Sequence, residues 1–162
     1  MIRDLVIVGS GPAGYTAAIY ASRAQLNPVQ YEGSVTAGGA LMTTTEVENF
    51  PGFVDGVMGP VLMEDMRKQA ARFGTELITD DVVEMDLRGD VKTVKDGSGN
   101  VVQARAVILA MGSAYKKIGL VNEDRLSAVE FPGVQHVMDS FLEIKLSPLL
   151  VEEILQLKRQ HS

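Results

Sequence analysis

Leu5-Val6-Ile7-Val8-Gly9-Ser10-Gly11-Pro12-Ala13-Gly14 is the stretch that decides the fold. Residues 5–8 form a short β-rich apolar run bounded by glycine, the pattern of a strand buried on both faces. Residues 13–24, rich in alanine with Ile19 and Tyr20 among the bulkier members, predict a helix. Between them Gly9, Gly11 and Gly14 spell G-x-G-x-x-G. Glycine is common, so the spacing gains its weight from its setting. It follows a strand, opens a helix and precedes a second strand, Pro28-Val29-Gln30-Tyr31, that ends on the acid Glu32. Gly9 permits the tight turn, Gly11 lets the backbone approach a pyrophosphate with no Cβ in the way, and Gly14 lets the helix pack close to the strand. The helix N-terminus, spanned by Ser10, Gly11, Pro12 and Ala13, offers N–H groups and a partial positive charge to phosphates. Glu32 is placed to accept the adenosine ribose hydroxyls and to repel a 2′-phosphate, which disfavours NADP. The blander reading is a glycine turn that only packs a βα unit, with Glu32 an ordinary surface acid.

Outward from this unit, residues 33–53 form a long irregular segment containing Gly38-Gly39 and Phe50-Pro51-Gly52. Such loops inside a compact domain are usually functional. A helix follows, with Pro60 in its first turn, Val61, Met66 and Ala70 as apolar contacts, and Gly74 as its stop. Three strand-like runs come next: 76–78 continuing towards Val82-Val83, then 91–94, then 101–102. Asp96-Gly97-Ser98-Gly99-Asn100 joins the last two as a hairpin. Residues 105–111 predict a further buried strand closed by Gly112. Ser147-Pro148 is a cap-and-first-turn pair for a helix over 148–159, with Leu150, Ile154 and Leu157 on its apolar side. A nicotinamide-binding half normally continues through another helical crossover to a third parallel strand. The glycine-rich loop, single helix and hairpin found here point instead towards the FAD-binding domains of flavoprotein reductases. The expected fold is α/β: a Rossmann-like FAD-binding domain with a parallel sheet, a β-hairpin or meander region and a C-terminal helix.

The chain has 162 residues, 46% hydrophobic and 22% charged, ordinary for one globular domain. A net charge of -6 with no clustered Lys and Arg argues against a nucleic-acid binder. No cysteine is present, which excludes disulfides, thiolate zinc sites and a redox dithiol within these residues. Met1-Ile2-Arg3-Asp4 leads directly into the first strand without a signal-peptide pattern, and no apolar run nears the ~20 residues of a membrane span. The expected location is the cytoplasm, with no membrane partner. His136 and His161 are isolated and read as surface residues rather than metal ligands. Asp80-Asp81 and Glu152-Glu153 are adjacent pairs whose members point in different directions, unlike a convergent acid–base pair. The eight methionines read as core filler.

Residues 7–18, Ile-Val-Gly-Ser-Gly-Pro-Ala-Gly-Tyr-Thr-Ala-Ala, resemble the opening of bacterial low-molecular-weight thioredoxin reductases. Residues 38–53, Gly-Gly-Ala-Leu-Met-Thr-Thr-Thr-Glu-Val-Glu-Asn-Phe-Pro-Gly-Phe, are a more specific match to that family's flavin-binding loop. Val107-Ile108-Leu109-Ala110-Met111-Gly112 resembles a later strand that usually ends Ala-Thr-Gly; here Met111 stands in place of the threonine. The resemblance runs over about residues 3–127, giving domains of 1–127 and an unmatched helical tail of 128–162. It implies that Ser10, Gly11, Pro12 and Ala13, framed by Gly9 and Gly14, line the FAD pyrophosphate and that Glu32 meets the ribose. It further implies that Gly38, Gly39, Ala40 and Leu41 lie along the dinucleotide, that Asn49 sits near the flavin, that Val82 contacts adenine by its backbone, and that Gly112 belongs to the cofactor site. Such reductases pass hydride from NADPH to FAD and electrons on to a Cys-x-x-Cys pair and thioredoxin. The dithiol, the NADPH domain and the family's later Gly-Asp return are missing here; Gly89-Asp90 reads as a turn. The implied protein is a truncated FAD-binding flavoprotein not expected to act as a reductase alone. Its tail is suited to cover a sheet edge, and self-association or a partner chain is suited to complete the domain. Two other readings stay open: a non-catalytic dinucleotide-binding or structural module, and an NAD(H)-binding module, which the 38–53 loop disfavours.

Overall fold

The structure, a computed structural model, describes residues 2–35 and 37–113. Strand β1 (Ile2–Val8) leads through the glycine turn into helix α1 (Pro12–Arg23) and then strand β2 (Val29–Tyr31). After a 3-10 turn at Gly39–Thr43 come β3 (Glu46–Val47), β4 (Val57–Met58) and helix α2 (Gly59–Arg72). The described chain closes with β5 (Glu76–Ile78), β6 (Val82–Asp86), β7 (Lys92–Asp96) and β8 (Val101–Leu109).

Among the described residues, six strands form one sheet in the order β5-β2-β1-β8-β7-β6. The central place of β1 explains its unbroken apolar run, because it pairs in parallel with β2 on one side and β8 on the other. Leu5 and Ile7 face α1 and α2, where they join Tyr15, Ala18, Leu62, Met63, Met66 and Ala70 in a buried cluster. Val6 and Val8 face the other way and pack with Val29, Tyr31, Val94 and Ala104. The alternation along β1 therefore divides the core into two layers.

The expected parallel sheet is corrected to a mixed one. β5, β2, β1 and β8 run parallel, whereas β7 and β6 are antiparallel additions. The short 96–100 turn returns the chain beside itself, which only antiparallel pairing allows. That hairpin stands where the sequence places it, with Lys95 opposite Val101 and Val94 opposite Val102. The run from 76 towards Val83 is not one strand. β5 and β6 occupy opposite ends of the sheet order, joined by only the residues between Ile78 and Val82. So short a link fits because the antiparallel end turns over the face away from the helices, where Val82, Met85 and Val94 meet Tyr31.

Residues 101–102 and 105–109 are one strand, β8, whose first half pairs with β7 and which pairs with β1 along most of its length. Its second half is less buried than expected: Ile108 is 39% and Leu109 46% exposed, since β7 ends its pairing at Ala104. In α2 the buried face is Leu62, Met63, Met66 and Ala70, while Val61 points outward and is 52% exposed. The 33–53 segment is less irregular than its composition suggests. It holds the 3-10 turn and β3, which pairs with β4 through Glu46–Met58 and Val47–Val57. The expected helix over 148–159, His136, His161, Glu152-Glu153 and the 127/128 boundary lie outside the described residues.

Ile7 is fully buried between β1 and both helices. Ile7→Ala should lower the unfolding free energy by about 3 kcal/mol in urea titration, whereas Val101→Ala on an exposed position should change it by about 0.5 kcal/mol or less.

Candidate functional site

Parallel strands deliver their following loops to one edge of a sheet, and ligands of open α/β sheets bind outside those carboxyl ends. Here the ends of β1, β2, β5 and β8 surround a cavity of about 530 Å³. The β1–α1 turn contributes Gly9, Ser10, Gly11, Pro12 and Ala13; the segment after β2 contributes Glu32 and Gly33. Asp80, Asp81 and Val82 follow β5, and Ala110, Met111, Gly112 and Ser113 follow β8. Gly39, Ala40 and Leu41 of the 3-10 turn close the remaining side.

The three glycines of the motif meet three different surroundings. Gly9 has φ +113°, and a Cβ there would lie 2.2 Å from the Ala110 carbonyl oxygen. A Cβ on Gly14 would lie 2.1 Å from the Gly9 carbonyl oxygen, so helix and strand touch backbone to backbone. A Cβ on Gly11 would meet nothing within 4 Å. Gly11 is therefore free of any packing need for its missing side chain, and it borders the cavity. The first helical bond runs from Tyr15 N to Gly11 O (3.1 Å), which leaves the Ala13 and Gly14 N–H groups ahead of the helical ladder. Ser10 Oγ donates to the Glu32 carbonyl (2.6 Å) and accepts from the Gly38 N–H (2.9 Å), tying the 3-10 segment to the glycine turn.

Glu32 is held rather than free. Its Oε1 accepts from Tyr15 OH (2.6 Å) and Arg67 Nε (2.8 Å), and its Oε2 accepts from Arg67 Nη2 (3.0 Å). The Glu32 side chain has no exposed surface (0%), against 40% for Arg67. Burial, then the hydrogen bond and charge of Glu32, push the Tyr15 phenol well above the ordinary tyrosine range. The hydrogen bond to Glu32 likewise raises the Arg67 guanidinium. Asp80 accepts from the Ser98 hydroxyl (2.6 Å) and N–H (3.0 Å), bonds that hold its carboxyl below the usual range. Asp81 accepts from the Ser34 N–H and hydroxyl. The two acids brace separate loops, as their adjacency in sequence suggests.

Of the residues singled out by sequence, Gly9, Ser10, Gly11, Pro12, Ala13, Glu32, Gly39, Ala40, Leu41, Val82 and Gly112 converge on this cavity. Gly14 lies beneath it, and Gly38 is joined to it through Ser10. Asn49 does not line this cavity but a smaller hollow of about 330 Å³ with Leu41, Thr44, Glu46, Val47 and Glu48, and Leu41 borders both. Sequence reasoning missed Asp80 and Asp81 as wall residues, although their place just after a parallel strand is the available signal. It also missed Arg67, which no local pattern marks. Among the described residues there is no group of His, Asp or Glu able to hold a metal and no helix long and apolar enough to cross a membrane.

A parallel βαβ core with a glycine turn at a cavity on the strand ends defines a Rossmann-type α/β fold. Residues 3–146 match the model of the pyridine nucleotide-disulphide oxidoreductases, and the chain belongs to that family. It is 64% identical over 126 residues to the thioredoxin reductase of Streptomyces coelicolor, covering 78% of this chain and 39% of that protein. It is 56% identical over 128 residues to the thioredoxin reductase of Mycolicibacterium smegmatis, covering 79% and 40%. Among solved structures, the thioredoxin reductase of Lactococcus lactis superposes with a TM-score of 0.69 at 32% identity, covering 78% of this chain and 41% of that one. The resemblance read from the glycine turn and the 38–53 loop is thereby borne out. The chain spans about two fifths of the length of the curated relatives it matches.

Two outcomes follow from the geometry. Gly14→Ala should destabilise by about 3 kcal/mol, because its Cβ meets backbone that cannot yield, while Gly11→Ala should change the unfolding free energy by about 0.5 kcal/mol or less, both read by urea titration. A phenol whose folded pKa is raised contributes stability that is fully present below about pH 10 and is lost as pH rises through the folded value. Urea titrations above pH 10 should therefore show stability falling in the wild type more steeply than in Tyr15→Phe.

Proposed function

We propose that this chain binds FAD and serves as the flavin-holding part of a thioredoxin-reductase-type oxidoreductase. The observation that carries the reading is the open space at Gly11, on the cavity side of the α1 N-terminus, where an added Cβ would meet no protein atom within 4 Å. A pyrophosphate approaching there meets the Ala13 N–H and the positive end of α1. Ser10, Gly11, Pro12 and Ala13 would line the pyrophosphate, framed by Gly9 and Gly14. Gly38, Gly39, Ala40 and Leu41 would lie along the dinucleotide, Val82 at the adenine, and Gly112 at the opposite wall. Asn49 would lie towards the flavin, and Glu32 at the ribose end.

FAD supplies hydride and electron transfer when bound; the chain supplies position and electrostatics. Ser10 fixes the 3-10 wall against the turn, and the packing of Gly9 on Ala110 fixes the turn against β8. The 162 residues contain no cysteine, so reduction of a disulfide through a dithiol needs thiols from outside these residues, on a partner. The same observation favours a second reading, in which FAD is bound without turnover.

Titration with FAD, NADH and NADPH tests the proposal. FAD should bind with quenching of flavin fluorescence and a shift of its visible absorption band, and Gly11→Leu should abolish both changes by filling the pyrophosphate's approach. Tight NADH binding by a protein that ignores FAD would overturn it.

A further inference from the structure

Glu32 ends β2 beside the cavity, yet its carboxylate is already occupied. Oε1 receives two donors, Tyr15 OH at 2.6 Å and Arg67 Nε at 2.8 Å; Oε2 receives Arg67 Nη2 at 3.0 Å. A carboxylate oxygen has two lone pairs, so Oε1 is saturated and one acceptor position remains on Oε2. None of the side chain is exposed. A ribose hydroxyl thus finds no accessible carboxylate in this arrangement. The backbone of Glu32 is committed as well, its N–H to Ile78 O (2.9 Å) and its carbonyl to Ser10 Oγ (2.6 Å).

We propose that Arg67, with Tyr15, latches Glu32 away from the ligand, so that Arg67 determines whether the ribose hydroxyls of a bound adenine dinucleotide are read. In the latched state Glu32 is a positioning residue. It fastens α2, which carries Arg67, and α1, which carries Tyr15, to the end of β2, and thereby holds the ribose end of the cavity in place. The bidentate fork of Arg67 also cancels the charge of Glu32. The repulsion of a 2′-phosphate expected of a free acid is correspondingly weakened. Removing Arg67 leaves a buried carboxylate with unfilled acceptor positions, a state that gains by taking any donor offered from the cavity.

The inference rests on the FAD reading, and its test separates the two. FAD and FAD lacking the adenosine 2′-hydroxyl are titrated against wild type, Glu32→Gln, Arg67→Lys and Arg67→Met. A latched Glu32 predicts that wild type and Glu32→Gln bind the two flavins within about 2-fold of each other. Arg67→Met should prefer FAD by about 10-fold or more, the worth of one hydrogen bond to a charged acceptor. Arg67→Lys, which keeps the charge and a donor, should stay near wild type; a merely structural loss would weaken both flavins equally in every variant. A 10-fold preference in wild type that disappears in Glu32→Gln would show a direct ribose acceptor and overturn the latch. An unmoved ratio in Arg67→Met would overturn it too. If neither flavin binds, the FAD reading fails, and thermal melts still decide the latch. The double variant Glu32→Gln/Arg67→Met should then lose less than the sum of the two single losses, and additive losses would refute it.

Discussion

Backbone rests on backbone at one point beneath the cavity, and the rest of the structure depends on it. The Gly9 carbonyl lies where a Gly14 Cβ would be, and the Ala110 carbonyl lies where a Gly9 Cβ would be. Gln30 Nε2, fully buried on β2, donates to that same Gly9 carbonyl at 2.9 Å. Helix α1, β2 and the end of β8 are thus drawn to within one methyl group's breadth of the end of β1. No larger residue at Gly9 or Gly14 permits this approach. Because β8 must reach Ala110 to make it, the far wall of the cavity is set by the contact that sets the near one.

The sequence made the part of this that is local in the chain legible. Gly9 and Gly14 each meet the backbone their spacing implies, Gly11 faces open space, and the turn at 96–100 forms its hairpin. What escaped was whatever depends on distant pairing. Residues 101–109 read as two strands because Gln103, Ala104 and Arg105 interrupt the apolar pattern, yet β1 and β7 pair across the interruption. Residues 76–83 read as one run because nothing local shows that Val82 turns to the opposite end of the sheet order. Val61 read as a core residue because apolar character alone does not say which face of α2 meets α1. Strands as short as β3 and β4 carry too few residues for any period to show.

The candidate site was legible to the same depth. Residues next to a strand end could be placed, and Val82 and Gly112 arrived at the cavity with the glycine turn. The partners of Glu32 could not be placed, since Tyr15 and Arg67 lie on two different helices whose docking no motif encodes. That distinction bears on chemistry. A lone acid at the end of β2 suggests a negative charge facing a ligand, whereas the folded chain shows that charge paired with a guanidinium and shut from solvent. The electropositive feature that remains open to the cavity is the N-terminus of α1. Its free N–H groups and partial positive charge suit an anionic group such as a phosphate.

The most direct measurement is amide hydrogen exchange followed residue by residue with and without FAD. Slowed exchange is expected at Gly11, Ala13, Ala40 and Leu41, the amides around the glycine turn and its facing wall, with the antiparallel strands β6 and β7 unchanged. Protection confined to β6 and β7, or absent from the glycine turn while FAD is bound, would contradict it.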